Sequence, residues 1–82
     1  MELVETSFIQ IESGFEHTIK FIFETRTFIA YVTETQDETY IRDCFEVNEN
    51  RLFPIDIPRY FGEFRSDVFS FIYNNIQEGF PS

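Results

Sequence analysis

The spacing of large apolar side chains changes period near Pro58, and that change bounds what this chain can fold into. Before it they recur at every second residue, as in strands with one buried face. After it they fall at positions 61, 64, 68, 72 and 76, a helical stripe. A continuous block of strands followed by a helix excludes an alternating βαβ architecture with a parallel sheet.

The alternation predicts strands over 6–12, 17–24, 27–35 and 39–47, then a short extended piece over 51–55 that Pro54 confines to an edge. In the first strand Ile9 and Ile11 share one face, and Phe8, Gln10 and Glu12 the other. The second sets Ile19, Phe21 and Phe23 against Lys20, Ile22 and Glu24. The third sets Phe28, Ala30 and Val32 against Ile29, Tyr31 and Thr33, and the fourth turns Ile41, Phe45 and Val47 inward. Turns are expected at Ser13-Gly14, where glycine takes a positive φ, near Thr25-Arg26, at Gln36-Asp37-Glu38 and at Asn48-Glu49-Asn50.

Asp56 as a cap and Pro58 in the first turn open a helix over about 59–78. Gly62 weakens its start, so a restart capped by Ser66 is expected, with Gly79 as the residue beyond its end. The reading is a single α+β domain over residues 1–82: an antiparallel β-meander of four to five strands with one C-terminal α-helix packed on one face.

Phe, Ile, Val, Tyr and Leu supply 32 large apolar side chains, roughly twice what one helix on one small sheet can fully cover. Phe8, Ile22, Ile29 and Tyr31 are assigned to the face opposite the helix. Such a face is either ordinary exposed surface or a self-association or docking face, with a homodimer as the simplest form of the latter.

Charge narrows the function. Fifteen Asp and Glu against six Lys and Arg give a net charge of −9, and Lys20 is the one lysine. That balance argues against direct contact with nucleic acid or anionic membrane, both of which call for a basic patch. The longest apolar run, Phe28-Ile29-Ala30-Tyr31-Val32, is far short of the roughly 20 residues of a membrane span. The Met1-Glu2-Leu3-Val4-Glu5 start lacks the basic and apolar regions of a secretory signal, and a lone Cys44 cannot form an internal disulfide, so the cytoplasm is the expected compartment.

Chemistry finds little to stand on. His17 and Cys44 are single representatives of their types, and no motif surrounds either. Glu34, Asp37 and Glu38 cluster at a turn without the loop length, central glycine and bidentate Glu of a calcium hand. No catalytic residue, metal site or cofactor is assigned.

The expectation is therefore a binding role: an acidic domain, a DNA mimic, that occludes the basic nucleic-acid-binding surface of a partner protein. Phage inhibitors of host defence, such as anti-CRISPR and anti-restriction proteins, are the broad class of this kind. An immunity protein or antitoxin, or a homodimeric accessory module, is the alternative. The charged contacts are expected at Glu34, Asp37, Glu38, Glu46 and Glu49, in the turns flanking the fourth strand, with Tyr31 and Tyr40 as aromatic anchors.

Overall fold

Four consecutive ten-residue strands rich in β-branched and aromatic side chains pair with their sequence neighbours. The computed structural model describes residues 1–76. It holds β1 (Glu2–Ile11), β2 (Gly14–Phe23), β3 (Arg26–Thr35), β4 (Thr39–Asn48) and β5 (Arg51–Pro54), then α1 (Ile57–Phe61), a 3-10 turn (Gly62–Phe64) and α2 (Arg65–Asn74). The sheet order is β1-β2-β3-β4-β5, antiparallel throughout, which is the expected α+β meander with a C-terminal helical segment.

Two hairpins, β2–β3 and β4–β5, close through residues with left-handed backbone. Glu24 and Thr25 have φ of 49° and 69°, and Glu49 and Asn50 have 50° and 66°. Positive φ at both central residues matches the right-handed twist of the flanking strands, although Thr25 is β-branched and strained there. Gly14 departs from its expected role. It is the first residue of β2 and is absent from the positive-φ positions among the described residues. Its requirement is space, because a Cβ there would overlap the Glu34 carbonyl oxygen.

The helical segment behaves as its sequence implies at one end. The Asp56 carboxylate accepts from the Arg59 N–H (3.5 Å), Pro58 lies in the first turn, and Gly62 at φ 55° ends α1. Ser66, expected as a cap, instead lies inside the first turn of α2. That helix starts straight from the 3-10 turn, without a side-chain cap. Its regular part ends at Asn74, while the expected extension to 78 and the role of Gly79 lie outside the described residues.

The core forms where these helices cross the sheet. Ile19, Phe21, Phe28, Ala30, Val32 and Cys44 bury against Ile57, Phe61, Val68 and Ile72. Phe28 stacks on Phe21 (5.4 Å between centroids) and meets Phe61 at 5.0 Å, while Phe71 covers Phe21 at 5.5 Å. Aromatic rings thus tie the strands to both helices.

Strand register overturns two face assignments. Residues directly opposite one another across a sheet share a face. Phe8 pairs with His17, in the row of Ile19 and Phe21, so it lies on the helix-bearing side. Ile9 pairs with Glu16 and faces away. Eight of the ten residues of β1 are exposed, on both faces, so its alternation does not mark an inside. In β4, Arg42 is an extra residue: Tyr31 pairs with Asp43, but Val32 pairs with Ile41. This bulge reverses the parity of everything after it. Ile41 packs on the core as expected, but Cys44, not Phe45, continues its row. Phe45 pairs with Ile29, and Val47 with Thr27, on the outer face.

Candidate functional site

The expected charged residues belong to two separate ends of the sheet. Glu34, Asp37 and Glu38 flank the β3–β4 turn, whereas Glu46 and Glu49 sit at the β4–β5 turn. A ten-residue strand separates them, roughly 30 Å at about 3.3 Å per residue. One compact partner contact would not use both.

The β3–β4 turn is built by Thr35. Its hydroxyl accepts from the N–H groups of Asp37 (3.3 Å) and Glu38 (3.1 Å), and the Thr35 N–H donates to the Glu38 carbonyl at 2.8 Å. With the backbone of the turn satisfied in this way, the side chains of Asp37 and Glu38 stand in solvent. The β1–β2 turn lies beside it, since Gly14 pairs with both Ile11 and Thr35 and brings Glu12 to the same end. Between the turns runs an open groove of about 680 Å³, lined by Gln10, Glu12, Gly14, Phe15, Gln36 and Asp37 among others. Residues 10–15 and 33–40 contain no Lys or Arg. Among the described residues no ion pair forms to Glu12, Asp37 or Glu38. Glu12 was not among the expected contacts; its signal was its place in a turn whose strand pairing was not yet known.

Glu34 belongs to this end but points inward. Its Oε1 lies 2.9 Å from Nε2 of His17, which is fully buried. A carboxylate oxygen accepts the hydrogen bond, so His17 donates through Nε2. Nδ1 meets no hydrogen-bonding group among the described residues. Phe8 lies against the imidazole, its centroid 5.7 Å away, and meets Phe15 edge-on at 5.7 Å. His17 and Cys44 are two strands apart, roughly 10 Å laterally. They do not form a thiolate pair. Burial pushes the Cys44 thiol up to about 12, which keeps it protonated near neutral pH.

At the opposite end the charges serve the fold. Arg26 donates to the Tyr60 hydroxyl (2.7 Å), which donates to Glu46 (3.0 Å), and Arg26 lies 3.5 Å from the same carboxylate. This chain pins α1 to the ends of β3 and β4 and leaves the Glu46 side chain 17% exposed. Glu49 remains exposed in the strained turn.

The two tyrosines differ as well. Tyr31 carries the Arg42 guanidinium at 5.5 Å over its ring and packs edge-on against Phe45 at 5.9 Å. Arg42 in turn holds Glu16 (2.9 Å) and Asp43 (3.4 Å). Tyr40 is exposed, two residues beyond Glu38 and paired with Thr33. The structure therefore brings Asp37, Glu38 and Tyr40 to one end with Glu12, places Tyr31 in an outer-face cluster, and sets Glu46 and Glu49 apart. Of the expected self-association residues, Ile22, Ile29 and Tyr31 share the outer face, and Phe8 does not.

Among the described residues, no group of three or more His, Cys, Asp and Glu side chains is arranged to hold a metal ion, and no helix is long and apolar enough to cross a membrane. No protein-family model, no curated protein and no solved structure matches this chain.

Proposed function

We propose that this chain is an acidic binding protein that docks its Glu12, Asp37 and Glu38 end onto a basic surface of a partner protein, occluding a nucleic-acid-binding site there. The observation that carries the reading is the gathering of these three solvated carboxylates on adjacent turns, in segments without Lys or Arg. An acidic end whose two turns carry no Lys or Arg attracts a basic protein from a distance, and Tyr40 supplies an aromatic contact beside it. Inhibition of a defence nuclease, as by phage anti-CRISPR and anti-restriction proteins, is the form of this activity that fits an acidic domain of this size. Neutralisation of a toxin by an immunity protein or antitoxin uses the same physics, and a toxin gene beside this one would favour it. A homodimer through Ile22, Ile29 and Tyr31 is the second reading, supported by their position on the sheet face that the helices leave open.

The test compares two charge-reversed proteins. Glu12→Lys/Asp37→Lys/Glu38→Lys should lose a nucleic-acid-binding protein that the wild type retains from host lysate at low salt. Glu24→Lys/Glu49→Lys, reversed at the other end, should keep it. The captured protein should also lose nucleic-acid binding when the wild type is added. Equal retention by both variants sinks the proposal.

A further inference from the structure

The sheet has two edges of opposite character. β5 is four residues long and ends in Pro54, which has no N–H to offer. β1 is ten residues long, and among the described residues no strand pairs with its outer side. An irregularity at Val4 interrupts its start, but residues 5–11 pair regularly with β2. In such a strand every second residue turns its N–H and C=O away from the sheet. β1 contains no Pro, Lys or Arg to discourage pairing, and its apolar side chains stand open: Leu3 is 39% exposed, Val4 45%, Phe8 41% and Ile9 64%.

The charges select what can pair there. Those on β1 are Glu2 and Glu5, and Glu12 follows at its end. A second copy of this chain, paired about a two-fold axis near Ser7, would set the Glu2 end of each strand against the Glu12 end of the other. It would also bring together two chains of net charge −9. An extended segment bearing Lys or Arg meets the same backbone groups and finds carboxylates at both ends. We infer that β1 accepts an extended, basic segment of a partner protein as a sixth strand. Its backbone would pair with residues 5–11, its cations would lie beside Glu5 on the outer face, and its alternate apolar side chains would lie against Phe8 on the helix-bearing face. The inference takes the sign of the partner's charge from the proposed function, but it rests on a different surface.

The probe is an alternating Lys-Val peptide of ten residues, the length of the strand, labelled for fluorescence anisotropy and added to the full chain. Expected are saturable binding, slowed hydrogen exchange at β1 amides, and about tenfold weaker binding to Glu5→Lys. Glu5 is exposed, so this variant should keep the wild-type circular dichroism spectrum. A peptide N-methylated at alternate residues keeps the charge but cannot form the ladder, and it should not bind. The Glu12→Lys/Asp37→Lys/Glu38→Lys protein should still protect residues 5–9 when peptide is added, even where lysate capture fails, so the two surfaces are judged separately. Binding of the N-methylated peptide, or binding without β1 protection, overturns the inference. So does β1 protection by a second copy, seen as a dimer in sedimentation without peptide.

Discussion

The two ends of this sheet carry similar numbers of acidic residues and use them differently. At the β2–β3 and β4–β5 end, Glu46 is tied to Arg26 and Tyr60, and two pairs of turn residues in left-handed conformation set the hairpins. At the β1–β2 and β3–β4 end, the turn backbone is satisfied by Thr35, and Gly14 lets the two hairpins close on one another. Glu12, Asp37 and Glu38 are then left to solvent. Glu46 serves the structure at one end, while Glu12, Asp37 and Glu38 stand in solvent at the other, a contrast that sequence position alone does not reveal.

The largest effect should come from filling the space at the acidic end. Gly14→Ala places a Cβ against a backbone oxygen that cannot swing aside, and should cost about 3 kcal/mol in urea unfolding. It should also separate the two acidic turns and weaken partner binding beyond the loss of folded protein. A neutral Gly14→Ala would break the idea that close approach assembles this end.

Tyr60→Phe tests the opposite end. It removes both hydrogen bonds of the pin at a half-exposed site and should cost about 1 kcal/mol while leaving partner binding unchanged. Loss of binding here would mean that the two ends are coupled. Smaller, and of opposite sign, is Glu24→Asn/Thr25→Gly, which relieves left-handed strain in the β2–β3 turn. It should raise stability by somewhat under about 1 kcal/mol, read as a higher denaturant midpoint at constant slope.

The fold was legible because period-two alternation survives in β2 and β3, which have a neighbour on both sides and one face under the helices. It misled where that condition fails or where a bulge interrupts the strand. In β1 both faces are open, so Ile9 and Ile11 mimicked a core row and Phe8 was placed on the wrong side. In β4 the bulge at Arg42 has no compositional mark, so Phe45 and Val47 were read inward in place of Cys44. The candidate site was half legible. Asp37, Glu38 and Tyr40 could be read as exposed turn and strand-start residues, but an acidic residue is not by nature an outward one. Glu34 turns to a buried imidazole and Glu46 to a phenol, and neither partner is close to it in sequence. Glu12 joined only through pairing with a strand that begins beyond its own turn.

The bulge at Arg42 has a consequence for how this chain can change length. A residue gained or lost at a hairpin tip alters only the tip, because the strands on either side keep their parity. Deleting Arg42 would leave Ile41 and Asp43 adjacent, in step with Val32 and Tyr31, so Cys44 and Glu46 would still face the helices and Phe45 and Val47 would still face outward. The site therefore acts as a phase marker in the sequence: β4 keeps step with β3 by skipping Arg42, and its loss should straighten the strand without moving the core row.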